Sequence, residues 1–82
     1  MKNKISDEGL NVLIGGFCKN GKIQVINLNY NLLTDKCLEK IVKLFKKTNL
    51  KKLYLLNNNF SSTRGKQFVK EMKNNFNVEI YL

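Results

Sequence analysis

The sequence predicts an α/β fold in which short parallel strands alternate with helices, forming a small repeat array with its sheet on one side and its helices on the other. Three observations predict it. Ile23, Ile26, Leu28, Asn31 and Leu33 form a pattern that returns 27 residues later as Leu50, Leu53, Leu55, Asn58 and Phe60, and Ile80 and Leu82 match two of its positions after another 27. Hydroxyl residues, Ser6, Thr34 and Ser61, fall at equivalent places between the patterns, 28 and 27 residues apart. Behind each hydroxyl runs an apolar stripe at helical spacing.

The elements follow in order along one domain spanning residues 1–82. A helix over 6–18 starts at Ser6, whose oxygen accepts a first-turn amide, and Asp7 and Glu8 stand where the helix dipole favours acids. Its apolar side is Leu10, Leu13, Ile14 and Phe17. Gly15 and Gly16 each cost about 1 kcal/mol in a helix interior, so the helix is expected to be softened or shortened there. With no strand before it, this helix acts as the amino-terminal cap. The first repeat, 23–49, places a strand at Ile26 and Leu28, a cap at Thr34 with Asp35 behind it, and a helix with Leu38, Ile41, Val42 and Phe45 on one side. The second, 50–76, repeats this with Leu53, Leu55, Ser61, Phe68, Val69 and Met72, but Gly65 leaves the first apolar slot empty. A closing strand, 77–82, carries Asn77 where an aliphatic residue is expected, which should weaken it. Asn31 and Asn58 sit just after their strands, where their amides satisfy turn backbone groups that would otherwise be buried without partners.

The spacing L-x-x-L-x-L-x-x-N-x-L at Ile23 to Leu33 and Leu50 to Phe60 resembles the leucine-rich repeat, in the helical subtype of 27 to 29 residues found in ribonuclease-inhibitor-like proteins. The likeness runs from Ile5 to Leu82. It implies a right-handed horseshoe, here a short solenoid, with a parallel sheet on the concave face and helices on the convex face. It also implies a role in protein–protein interaction. Wider family members include activators of small GTPases and inhibitors of nucleases, but no residue of this chain matches a motif that carries either activity.

Composition narrows the functional classes. An apolar fraction of 43% is too high for a disordered chain. The absence of His removes Ser-His-Asp and Cys-His nucleophiles and His-bound zinc, and two Cys are too few for a four-Cys site, so neither metal nor cofactor is expected. Cys18 and Cys37 read as reduced, half-buried hydrophobes. Lys2 and Lys4 precede the apolar run Val12 to Cys18, but Asp7 and Glu8 intervene and no cleavage site follows. That run is too short to cross a membrane. The expectation is a cytoplasmic, non-catalytic protein. Its acids are scattered, and the Gly15-Gly16 pair and the Gly-Lys pairs at 21–22 and 65–66 lack the spacing of a phosphate loop.

Within each strand the residues between the aliphatic positions project from the sheet face. They align in rows: Asn27, Tyr54 and Tyr81; Val25, Lys52 and Glu79; Asn29 and Leu56, with Tyr30 and Asn57 at the rim. Tyr54, Tyr81 and Leu56 then form an amphipathic patch of the kind that anchors interfaces, or an ordinary set of strand-favouring residues on a solvated sheet. The candidate protein-binding surface is Asn27, Asn29, Lys52, Tyr54, Leu56, Glu79 and Tyr81. Nothing in the sequence covers the outer side of the last strand, so three alternatives stand: that strand docks against another chain or a second copy, the chain is a fragment of a longer array, or it is a decayed remnant of marginal stability.

The second reading uses charge. The chain carries +9, and Lys43 with Lys70 and Lys46 with Lys73 occupy equivalent helical positions, forming a column along the convex surface that suits RNA or another polyanion. Fourteen of the 15 basic residues are Lys, and Arg64 is the exception, so the bidentate fork favoured in base and phosphate recognition is nearly absent.

Overall fold

A computed structural model describes residues 3–82; Lys2 lies outside the described residues. The chain forms, in order, helix α1 (Asp7–Lys19), strand β1 (Val25–Asn27), a 3-10 turn (Asp35–Cys37) leading into helix α2 (Leu38–Lys47), strand β2 (Lys52–Tyr54), helix α3 (Ser62–Phe76) and strand β3 (Glu79–Tyr81). The strands make one parallel sheet in the order β1-β2-β3. Its register is the one the rows require: Val25 opposite Lys52 opposite Glu79, and Asn27 opposite Tyr54 opposite Tyr81. Parallel strands need a crossover between them, and α2 and α3 supply it.

Helices α1 and α3, and the 3-10 turn that leads into α2, each start where a hydroxyl can hold a free amide. Ser6 Oγ accepts the Gly9 N–H at 3.3 Å, Thr34 Oγ1 the Lys36 N–H at 3.2 Å, and Ser61 Oγ the Arg64 N–H at 3.3 Å. The apolar stripes then meet the sheet. Leu10, Leu38, Ile41, Leu53, Leu55 and Phe68 are each at most 1% exposed, in a single core between helices and strands. Cys37 is buried and Cys18 half-buried, and both are free thiols. No helix among the described residues is long and apolar enough to cross a membrane.

Three local expectations need correction. Helix α1 is not shortened by its glycines: it runs through Gly15 and Gly16 to Lys19. Leu10 and Ile14 are buried on one side of the pair and Phe17 packs against the core on the other, and this tertiary anchoring outweighs the weak propensity of the two residues. Asn77 does not weaken a strand, because it is not in one. It ends α3 in the left-handed region at φ 53°, with its N–H bonded to the Lys73 carbonyl at 3.0 Å, and β3 begins only at Glu79. Asparagine is among the few residues that adopt this conformation at low cost, so the residue is a helix stop. The slot at Gly65 is not empty either. A Cβ there would lie 2.6 Å from Leu82 Cδ2, so Leu82, from just past β3, fills the space that a side chain at Gly65 would have taken.

Candidate functional site

The exposed face of the sheet begins with how its loops are held. Asn31 is buried, 5% exposed, and its amide donates to the Leu28 and Asn29 carbonyls at 3.0 and 3.2 Å while its oxygen accepts the Ile5 N–H at 3.0 Å. Asn58 does the same one repeat on: it donates to the carbonyls of Leu28 and Leu55 at 2.9 and 3.1 Å and accepts the Leu33 N–H at 3.0 Å. These amides carry the turn backbone and tie each loop to the one before it. Between strand and asparagine, Tyr30 and Asn57 both take φ 60°, the left-handed turn that reverses the chain. Asparagine tolerates that conformation and tyrosine does not, so Tyr30 carries strain with no glycine in the sequence to announce it.

On the rigid strands Tyr54 and Tyr81 stack, ring centroids 4.9 Å apart and planes 14° from parallel. Tyr81 is 41% exposed, Leu56 likewise 41%, and Tyr54 is half-buried beneath its neighbour's ring. The Tyr81 hydroxyl donates to Glu79 Oε2 at 2.7 Å, and Lys52 Nζ stands 3.7 Å from the same oxygen. This hydrogen bond holds the Glu79 carboxyl below its ordinary range, with Lys52 adding to the effect, and raises the Tyr81 phenol above its ordinary value of 10.0. The ion pair is exposed and adds little stability. Its effect is orientational: Lys52, Glu79 and Tyr81 hold one another beside the stack.

Asn27 and Asn29, the remaining members of the expected surface, are partly committed elsewhere. The Asn27 oxygen accepts the Asn29 N–H at 2.9 Å, and the Asn29 oxygen accepts the Leu56 N–H at 2.7 Å. Asn29 thereby fixes the exposed Leu56 beside the tyrosines, a positioning role that the alternation of strand residues does not reveal. The structure therefore brings together Lys52, Tyr54, Leu56, Glu79 and Tyr81, while the two asparagines shape the neighbouring loop.

Lys43, Lys46, Lys70 and Lys73 are all exposed. Lys43 and Lys46 lie on α2 and Lys70 and Lys73 on α3, yet Lys73 lines a groove of about 180 Å³ with Val69, Val78, Glu79, Ile80 and Tyr81, and its charge reaches Glu79.

One recurrent device escaped sequence reading. Asp7 accepts the Thr34 N–H and hydroxyl at 2.9 and 2.6 Å, and Asp35 accepts the Ser61 N–H and hydroxyl at 3.0 and 2.6 Å. The signal was the adjacent hydroxyl–acid pair, Ser6-Asp7 and Thr34-Asp35, repeated 28 residues apart. Compared with known proteins, the chain matches no family model, and no curated protein matches it.

Proposed function

We propose that the chain is a non-catalytic protein-binding module of the leucine-rich-repeat type, of the ribonuclease-inhibitor-like helical subtype. On this reading it is a short right-handed solenoid in which α1 caps two strand–helix repeats and a closing strand, with the sheet as the concave face. The parallel register, the recurring asparagine turns and the 27-residue spacing support that assignment. The partner is another protein, engaged through the sheet face, the outer side of β3, or both.

The observation that carries the binding reading is the stacked pair Tyr54 and Tyr81 beside the exposed Leu56. A rigid aromatic pair with polar tips offers large contact area at low entropy cost, the usual chemistry of an interface anchor. The acids of the chain support a non-catalytic role. Asp7 and Asp35 hold the caps of the following helices, and Glu79 is held by Lys52 and Tyr81.

A double substitution, Tyr54→Ser with Tyr81→Ser, tests the reading. Helical content by circular dichroism stays unchanged, since neither ring lies in the core, while capture of partner protein from lysate falls by at least about tenfold. Undiminished capture by the double variant contradicts it.

A further inference from the structure

We infer that the depression among the loops that follow β1 and β2 binds a neutral saccharide: one sugar ring, its apolar face on Tyr30 and Leu32 and its hydroxyls on the amides of Asn3, Asn57 and Asn59. This site is separate from the Tyr54–Tyr81 face and goes beyond the protein-binding reading.

The depression is preformed. Its volume is about 340 Å³, inside the range of about 300–1,000 Å³ typical of small-ligand sites. Three segments run side by side along it. On one side Asn3 donates its N–H to the Tyr30 carbonyl at 2.7 Å and Leu32 donates to the Ile5 carbonyl at 2.9 Å. On the other, Tyr30 donates to the Leu56 carbonyl and Asn59 to the Leu33 carbonyl, each at 2.8 Å. The turn asparagines Asn31 and Asn58 also line it, their amides spent on loop backbone. Walls fixed in this way lower the ordering cost of binding.

The backbone pairing sets the chemistry of the lining. It places Tyr30 and Leu32 in the middle segment, with Asn3 in one flanking segment and Asn57 and Asn59 in the other. Tyr30 is 44% exposed and Leu32 50%, and the side chains of the three asparagines are exposed as well. An apolar strip flanked on both sides by amides matches a pyranose, which has C–H groups on its faces and hydroxyls around its perimeter. The negative face of a tyrosine ring attracts such C–H groups. Each amide offers a donor and an acceptor, as each hydroxyl does.

Charge narrows the ligand further. Although 26% of the chain is charged, no lysine, arginine or carboxylate is among the residues that line the depression. A phosphate, carboxylate or ammonium group would lose water there and meet no counter-charge. A neutral ligand meets no such penalty.

Tyr30 supplies the last observation. It holds φ 60°, a conformation costly for a bulky residue, and its exposed ring recovers little of that cost by packing. Asn57 takes the equivalent turn without the cost. Contact with a ligand accounts for a strained, exposed aromatic ring at the centre of a preformed depression.

The test is an NMR titration of the nitrogen-labelled chain with glucose, galactose, mannose and N-acetylglucosamine, each as free sugar and as methyl glycoside. Adenosine and a neutral Gly-Ser peptide serve as comparators. At least one sugar should saturate the site with a dissociation constant of about 1 mM, shift the side-chain amide signals of Asn57 and Asn59, and bind at least about tenfold more tightly than either comparator. Binding of free sugar and glycoside alike supports the inference; binding of the glycoside alone supports it and assigns the site to the end of a longer glycan. Tyr30→Asn, which relaxes the turn and removes the ring, should weaken binding at least about tenfold. So should Asn57→Gly combined with Asn59→Ala, since glycine keeps the positive φ while the amides are lost. Tyr54→Ser should leave it unchanged. Shifts that miss Asn57 and Asn59, undiminished binding by Tyr30→Asn, comparable binding of adenosine or the peptide, or no saturation by any sugar at about 50 mM would each overturn the inference. The protein-binding reading is tested separately, at Tyr54 and Tyr81.

Discussion

The carboxylate of Asp7, at the start of α1, receives both the backbone N–H and the hydroxyl of Thr34, at 2.9 and 2.6 Å, and so fixes the residue that caps the next helix. Asp35 repeats the contact on Ser61. A local cap thereby becomes a link between successive units.

This link should be visible in the pH dependence of stability. Partial burial raises the Asp7 pKa, but the hydrogen bonds from Thr34, with smaller effects of the Cys37 thiol and Lys36, outweigh it and leave the value below the ordinary 3.8. A carboxyl depressed in the folded state contributes stability above its unfolded pKa and loses it as pH falls through the folded one. Asp7→Ala should therefore cost about 1–2 kcal/mol at neutral pH, and progressively less below about pH 4. Urea unfolding of both proteins across that range checks it, and a cost independent of pH contradicts it. Reciprocally, burial, the Asp7 charge and the hydrogen bond to Asp7 push the Cys37 thiol up to about 12, so alkylation at pH 8 should spare Cys37 until the protein is unfolded.

Asn58 should be among the costliest polar residues to remove. Asn58→Ala strands the Leu33 N–H, takes the amide donor from the Leu55 carbonyl and leaves the Leu28 carbonyl with Asn31 alone of its two amide donors, an expected loss of about 2–4 kcal/mol. The adjacent Asn59 has an exposed side chain, and Asn59→Ala should change stability by less than about 0.5 kcal/mol. Chemical denaturation of the pair decides it; equal costs would contradict the tethering role.

Tyr30 should be replaceable with gain. It shares φ 60° with Asn57 at the equivalent turn, and a bulky residue in that region costs roughly 1 kcal/mol relative to asparagine. Tyr30→Asn should raise the unfolding midpoint accordingly, measured by thermal or urea denaturation. A loss of stability would show that the ring makes packing contacts outweighing the strain.

Much of this was legible in the chain. The strands announced themselves because Leu28 and Leu55 sit in the same frame, and parallel pairing of such frames dictates that Tyr54 meets Tyr81. The caps were legible because a hydroxyl before an apolar stripe has a local physical meaning. What was not legible depends on tertiary geometry. Nothing in composition says that Leu82 packs onto Gly65, or that the Asn29 oxygen holds the backbone of Leu56 instead of facing a partner. Nor does helical phase say that Lys73 borders a groove with Val69, Val78 and Ile80.

Gly65 and Leu82 offer a separate test of packing. Gly65→Ala adds helix propensity of about 1 kcal/mol but crowds the Leu82 methyl 2.6 Å away, and the two effects should nearly cancel. With Leu82 already changed to Ala the crowding vanishes, so the same glycine substitution should then stabilise by roughly 0.5–1 kcal/mol. A double-mutant cycle reads the coupling, and simple additivity would contradict the contact.

The central claim, that the sheet face bearing Tyr54 and Tyr81 engages another protein, is tested most directly by site-specific photo-crosslinking. A benzophenone amino acid replaces Tyr54 in one variant and Lys43, on the helix side, in another, and both are irradiated in lysate. The account predicts discrete protein adducts from position 54 that resist ribonuclease, and none from position 43. Adducts confined to position 43, or adducts that ribonuclease removes, would contradict it.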